Sequence, residues 1–329
     1  MPQIKLAHGN GGVENNRLIE DIFYKAFDNP ILAKSEDAAV IEGGKLAFTT
    51  DSFTVTPLFF AGGDIGKLAV CGTCNDLAMM GAKPKYLTCA FIIEEGLDRG
   101  ELQSIVASMA KELAINGAVI VSGDTKVVPK GSVDRLFINT SGIGEIGYEG
   151  ISASGIANED VILVSRDIGC HGATIFAARE GMEMSSTLQS DCISLYPIVQ
   201  KLIESGIQIK AMRDATRGGL AAVLNEWAKQ SSLCIEIQED KIPIVNEVMG
   251  LCELLGFEAT ALANEGTFVL ATHPQDASKA LEILQSFNTN ASIIGHTSQH
   301  YPQRVVLRSA WGTARFLDMP SGELLPRIC

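Results

Sequence analysis

Acidic residues recur along this chain where extended segments should end and loops begin, and these carboxylates are its first candidates for chemistry. They are Asp37 in SEDAAV, Asp51 in TTDSF, Asp64 in GGDIG, Asp76 in CNDLAMMG, Asp124 in SGDTK and Asp214 in RDATRGG. Most stand beside Gly, Ser, Thr or Asn, which suit tight turns as readily as ligands. Gathered by a fold, several carboxylates make a hard, oxygen-rich site suited to Mg2+ bridging phosphates. Near the start, His8, Gly9, Asn10, Gly11 and Gly12 spell HGNGG, a run whose backbone N–H groups suit phosphate oxygens. There is no GxxxxGK[ST] and no kinase HRD or DFG set, and a Rossmann dinucleotide turn is not expected. A bound nucleotide would therefore be held by another scheme.

The last residue is Cys329, at the end of MPSGELLPRIC. Two prolines and a glycine make residues 319–329 an expected extended, flexible tail. Stretched, its final ten residues reach roughly 30 Å, enough to carry a thiol from solvent into a cleft. The other seven cysteines fall in apolar segments, so reduced, buried thiols are expected. Cys71 and Cys74 have CxxC spacing without a second pair or paired histidines; a structural pair is the reading, with metal or redox use the alternative.

The elements that must position these groups follow from periodicity. Residues 45–50, 86–93, 118–122 and 136–139 read as strands, with helical spacing over 65–80 and 101–116. After a Gly, Ser, Asn and Asp-rich stretch at 147–160, a second half begins with a strand at 161–165. Helices follow near 173–181, 193–205 and 219–230, and strands at 234–238, 267–272, 292–295, 304–309 and 315–317. The expectation is an α/β chain of the α+β type. Its two tandem domains are residues 1–150 and 151–318, with the tail at 319–329. A length of 329 residues suits two cores.

With 26 basic and 39 acidic residues, the net charge is −13, which repels nucleic acid and anionic lipid. No apolar run reaches membrane-helix length and the N-terminus lacks a secretory pattern. A cytoplasmic protein is expected.

Taken together, HGNGG, DAAV, AFTTDSF, PLFFAGGDIGKLAVCGTCNDLAMMGAKP, SGDTKVV, INTSGIG, RDATRGGLAAVLNE, CELLG, ANEG and the final PRIC resemble the carbamoyl dehydratase (HypE) family of hydrogenase maturation factors. That family lies in the superfamily of aminoimidazole ribonucleotide synthetase and selenophosphate synthetase. The resemblance runs nearly end to end and in order. It implies an N-terminal domain that forms a dimeric β-barrel with a second copy, and ATP with Mg2+ in the cleft between the domains. Asp37, Asp51, Asp76, Asp124 and Asp214 are then the metal and phosphate group, with Asp64 and Asn75 beside the nucleotide. Residues 8–12 are a glycine arm closing on it.

The resemblance also implies a reaction: ATP-dependent dehydration of a carbamoyl group on Cys329 to a cyano group, which supplies cyanide to a hydrogenase iron centre. Its implied partners are the carbamoyltransferase HypF, which loads the thiol, and the HypC–HypD scaffold, which accepts the cyano group. Lys126 lies two residues beyond Asp124, on the same side of a strand, and is assigned as an electrostatic partner. Glu265 in ANEG is assigned as a proton acceptor. Three positions depart from the family pattern: Cys74, Cys170 and Thr267 stand where aliphatic, acidic and basic residues are expected. Two other readings compete, a phosphotransfer synthetase for a small amide or selenide and a nucleotide-gated scaffold that does no chemistry.

Overall fold

A computed structural model describes residues 8, 12–24, 31–41, 45–182 and 187–322. The described chain opens with α1 (Val13–Leu18) and a π-helical turn, Ile19–Tyr24. A first sheet follows, built from β1 (Ala39–Ile41), β2 (Leu46–Phe53), β5 (Ala82–Glu94), β6 (Val119–Val128) and β7 (Leu136–Ile146). Its order is β1-β2-β7-β5-β6. Only β5 and β6 are parallel, and a crossover helix, α3 (Arg99–Asn116), joins them. A small ribbon of β3 (Phe59–Phe60) and β4 (Gly63–Asp64) leads into α2 (Ile65–Met79).

Helix α2 is the central element. Asp64 caps it, its Oδ1 accepting from the N–H groups of Gly66 (2.7 Å) and Lys67 (3.0 Å). The helix is apolar nearly all round and buried nearly all round, as expected of a helix covered on every side. It packs on β2, β5 and β7 and also touches the second half of the chain. Helix α3 runs from its Asp98 cap to Gly117, whose φ of 65° gives the left-handed stop.

The second sheet holds β8 (Val161–Val164), β9 (Ile209–Asp214), β10 (Cys234–Gln238), β11 (Phe268–Thr272), β12 (Ser292–Ser298), β13 (Val305–Arg308) and β14 (Ala314–Phe316), ordered β14-β13-β10-β12-β8-β11-β9. Around it lie α4 (Cys170–Arg179), α5 (Tyr196–Glu204), α6 (Gly219–Ser231), α7 (Asn246–Leu255) and α8 (Pro274–Phe287). Alternation along the strands feeds two cores. Ile162, Val164, Val269 and Ala271 meet Leu220, Leu224 and Trp227 of α6 on one face. Leu163, Met212, Phe268 and Leu270 meet Leu202 of α5 and Leu284 of α8 on the other. Central strands covered on both faces must be continuously apolar, which is why residues 268–271 read FVLA.

The first sheet differs, because among the described residues one of its faces has no layer over it. Leu46, Phe48, Tyr86, Ile92, Val121 and Val127 are exposed large apolar residues, with Val127 at 68%. Among the described residues, strand β6 is an open edge paired only with β5. Within one chain the sheet is open rather than closed into a barrel. Among the described residues no helix is long and apolar enough to cross a membrane.

Periodicity located most elements and missed some. Strand β9 and helices α7 and α8 were not expected, and β6 runs six residues beyond the expected end at 122. Gly123 and Asp124 look like a turn in sequence, yet Gly123 is a place of close approach. A Cβ there would stand 2.5 Å from the Cys89 carbonyl oxygen of β5. The spacing Gly142, Gly144, Gly147 does match GxGxxG, but it lies along β7 and its exit, without the strand-to-helix turn that gives the fingerprint its meaning.

Candidate active site

Four of the predicted aspartates converge where the two sheets face each other across α2. Asp37 precedes β1, Asp51 lies on β2, Asp76 is on α2 and Asp214 ends β9. Thr49, two residues before Asp51, donates from Oγ1 to Asp76 Oδ2 at 2.7 Å and lies 3.3 Å from the Asp37 carbonyl oxygen. Asp37 Oδ1 accepts from Arg213 Nε at 2.6 Å. The same guanidinium donates to Glu226 Oε2 and to the Ser35 carbonyl, each at 2.6 Å. Among the described residues Asp37 Oδ2 is buried without a hydrogen-bond partner, an unusual state for a carboxylate oxygen and one that a cation would relieve.

Electrostatics show the same convergence. Burial pushes the Asp76 carboxyl well above the ordinary range, and the charges of Asp51, Asp214 and Asp37 push it further. Asp214 is raised by burial and by Asp37 and Asp51, against the pull of Arg213 and Arg217. Asp51 is raised by burial, with Arg217 opposing. Asp37 is raised by burial to about 6 although Arg213 draws it down. So many carboxylates with so little counter-charge make a site short of positive charge. Among the described residues, no group of three or more His, Cys, Asp or Glu side chains is arranged to hold a metal ion by itself. The donor set nonetheless fits Mg2+, which takes one or two carboxylates and fills its remaining positions with water and phosphate oxygens.

Glu265 belongs to this group. It is 3% exposed, and burial together with Asp214, Asp191 and Asp51 raises its carboxyl well above the usual value. Its loop is set by Asp191, which accepts from the N–H groups of Glu265 (3.1 Å) and Gly266 (2.9 Å) and from Thr267 Oγ1 (2.7 Å). Gly266 is obligatory, since a Cβ would fall 1.9 Å from the Asp191 carbonyl oxygen. Thr267, a departure in sequence, thus holds the carboxylate that shapes the loop.

Other predicted residues lie elsewhere or are otherwise engaged. Asp124 and Lys126 are exposed on the open edge of β6, paired with each other at 3.2 Å, and neither is among the charges that shift the aspartates or Glu265. Asp64 is a helix cap that also accepts from Ser108 Oγ at 2.6 Å. Asn75 is 1% exposed. Its Nδ2 donates to the carbonyls of Ile193 and Glu265, and its Oδ1 accepts from the Leu195 N–H, so the side chain ties α2 to the second half of the chain. His8 is half-buried, its carbonyl accepting from Asn15 Nδ2 at 2.6 Å, and Gly12 is buried. Gly9, Asn10, Gly11 and Cys329 lie outside the described residues. Cys71 and Cys74 are buried in the core, as are all seven cysteines described.

Sequence reading missed Arg213, Arg217, Asp191 and Thr49. The two arginines flank Asp214 within RDATRGG, so an unbalanced carboxylate group was itself a cue to seek them. Asp191 lies more than seventy residues from the loop it holds, and nothing local announces it.

Comparison with known proteins places this geometry in context. Residues 35–146 match the AIR synthase related protein N-terminal domain, and residues 157–307 its C-terminal domain. The chain is 46% identical to the carbamoyl dehydratase HypE of Escherichia coli (strain K12), covering 100% of both. A crystal structure of the hydrogenase maturation protein HypE in complex with ATP aligns with a TM-score of 0.84 at 43% identity, covering 99% of this chain and 100% of that one. A HypE–HypF complex aligns at 0.88 with 48% identity, over 92% and 99% of the two chains.

Proposed function

Because the chain belongs to the HypE carbamoyl dehydratase family, we propose that it uses ATP to dehydrate an S-carbamoyl group on its own Cys329 to an S-cyano group. The product supplies cyanide for [NiFe]-hydrogenase iron-centre assembly. The observation that carries this reading is the buried group of Asp37, Asp51, Asp76 and Asp214, raised by burial and mutual repulsion, with Glu265 beside it. Such a group is what an Mg2+-bound triphosphate would neutralise.

In the proposed reaction the carbamoyl oxygen attacks the γ-phosphorus of ATP, the bond from that phosphorus to the bridging oxygen breaks, and ADP leaves. One N–H proton departs and an imino phosphate remains on sulfur. Loss of the second N–H proton with cleavage of the C–O bond releases phosphate and leaves the nitrile, so the oxygen removed as water ends in phosphate. When bound, Mg2+ would supply charge neutralisation on the phosphates, held by one or two carboxylates of the group Asp37, Asp51, Asp76 and Asp214. Arg213 orients Asp37, and Arg217 offsets the charge of Asp51 and Asp214. Glu265, once the positive charge brought with the bound nucleotide has released its own proton, suits the acceptor of an N–H proton. Asp64 and Asn75 set the position of α2, and residues 8–12 close on the nucleotide.

Asp124 and Lys126 enter this scheme through a homodimer. Their strand is an open edge bearing exposed Val119, Val121 and Val127, and closing the apolar sheet face against a second copy would form a dimeric barrel and carry both residues to a nucleotide site. HypF is proposed as the partner that loads Cys329 and HypC–HypD as the acceptor, all in the cytoplasm. The test is mass spectrometry of the C-terminal peptide after carbamoylation. ATP and Mg2+ should remove one water from the Cys329 adduct with release of phosphate; an adduct of unchanged mass would refute the reading.

A further inference from the structure

The two ends of the described chain are tied together. The Val13 N–H donates to the Pro320 carbonyl at 3.1 Å, and the Gly322 N–H donates to Glu14 Oε2 at 3.2 Å. Gly12 fits against the same carbonyl, where a Cβ would stand 2.3 Å from Pro320 O. Both Gly12 and Pro320 are buried. One step back, Leu317 donates to the Val305 carbonyl at 2.9 Å and accepts from Asn225 Nδ2 at 3.0 Å. Beside this junction lies a cavity of about 420 Å³ whose lining includes Asn16 and Met319, neighbours of the tied residues, together with Arg213 and Glu226. Arg213 is the residue that grips Asp37.

We propose that Val13 and Glu14 are positioning residues that fix residues 320–322, the point from which residues 323–329 continue, next to the cavity lined by Arg213. The proposal rests on the reading of Cys329 as the carrier. Seven residues reach at most about 25 Å, so the point from which they leave decides whether the thiol can meet the aspartates. Releasing the clamp back to Leu317 would lengthen the tether from seven residues to twelve. For a flexible linker, effective concentration falls as about the −3/2 power of length, roughly a twofold loss. Losing the direction of approach adds to it.

The clamp can be cut with little other change. Val13 is the first residue of α1 and follows Gly12 in an extended conformation, so Val13→Pro removes only the N–H donor at a position where proline is tolerated. Glu14→Ala removes the second bond, and Glu14→Gln keeps an acceptor oxygen. In the Val13→Pro/Glu14→Ala chain we expect the Gly322 amide to exchange hydrogen faster. Single-turnover water loss from S-carbamoyl-Cys329 at saturating ATP should be about three- to tenfold slower. ATP affinity should stay within about twofold, and Glu14→Gln should restore most of the rate relative to Glu14→Ala. Unchanged turnover in the double variant, or a loss matched by weaker ATP binding, would overturn the clamp while leaving the carrier reading intact. No water loss in the unsubstituted chain would sink the carrier reading and the clamp with it.

Discussion

At the scale of single residues, Arg213 joins the segment of Ser35 and Asp37 to Glu226 of α6, with its side chain and that of Asp37 each 11% exposed. Removing one partner of a buried pair leaves the other charge without compensation, at about 3–5 kcal/mol. Arg213→Ala should therefore lower the unfolding free energy by about that amount in a denaturant titration, and a loss below about 1 kcal/mol would show that the pair is not buried as described. Asp76 behaves oppositely. Its carboxyl is held above the ordinary range by burial and three neighbouring carboxylates, so Asp76→Asn relieves repulsion. The cation-free variant should melt no lower than the parent, while ATP-dependent turnover falls roughly 10–100-fold or more. A variant that melts lower, or turns over normally, would contradict a cation-demanding role.

At the scale of elements, the ANEG loop and β6 make separate demands. The loop lies flat on residue 191 because Gly266 has no side chain, and the Asp191 carboxylate fixes its amides. Gly266→Ala should cost about 1–3 kcal/mol of stability through overpacking and should displace Glu265, so that activity falls even well below the melting temperature. Full activity in a folded Gly266→Ala protein would separate Glu265 from the chemistry. Strand β6 carries valines at 59% and 68% exposure, Val121 and Val127, on an open edge of the kind proteins otherwise protect. Val121→Lys with Val127→Lys should convert a dimer to monomers in analytical ultracentrifugation and leave each monomer folded. A parent chain that is monomeric at micromolar concentration would refute the pairing.

At the scale of the whole molecule, the buried carboxylates link stability to pH and to cations. A carboxyl raised in the folded state holds a proton that the unfolded chain has already released, so its effect on stability turns unfavourable as pH rises. For Asp37 that window runs from the ordinary 3.8 to about 6, and for Asp76 and Asp214 it extends higher. Mg2+ with ATP must displace those protons at low pH and only relieves repulsion at high pH. Ligand-induced stabilisation should therefore be larger at about pH 7.5 than at about pH 5.5, measured as the shift in melting temperature at fixed ligand concentration. A shift that is equal or larger at the lower pH would mean that the cation does not bind at these aspartates.

The sequence by itself determined the class of fold and most of the acidic residues at the seam. Both kinds of information are local: hydrophobic period writes each strand and helix into its own residues, and aspartates beside small residues mark the strand ends where loops can gather them. Strand β9 escaped because IKAMRD is short and mixed in character, although it carries Asp214. Only the tertiary structure decided which carboxylates share a field. It gathered Asp37, Asp51, Asp76 and Asp214 with Glu265, left Asp124 and Lys126 on an exposed edge, and spent Asp64 and Asn75 on capping and tying α2. It also supplied Arg213 and Asp191, whose roles depend on contacts across more than seventy residues. Burial and charge coupling depend on distances in space, and one residue's spacing from the next along a chain does not contain them.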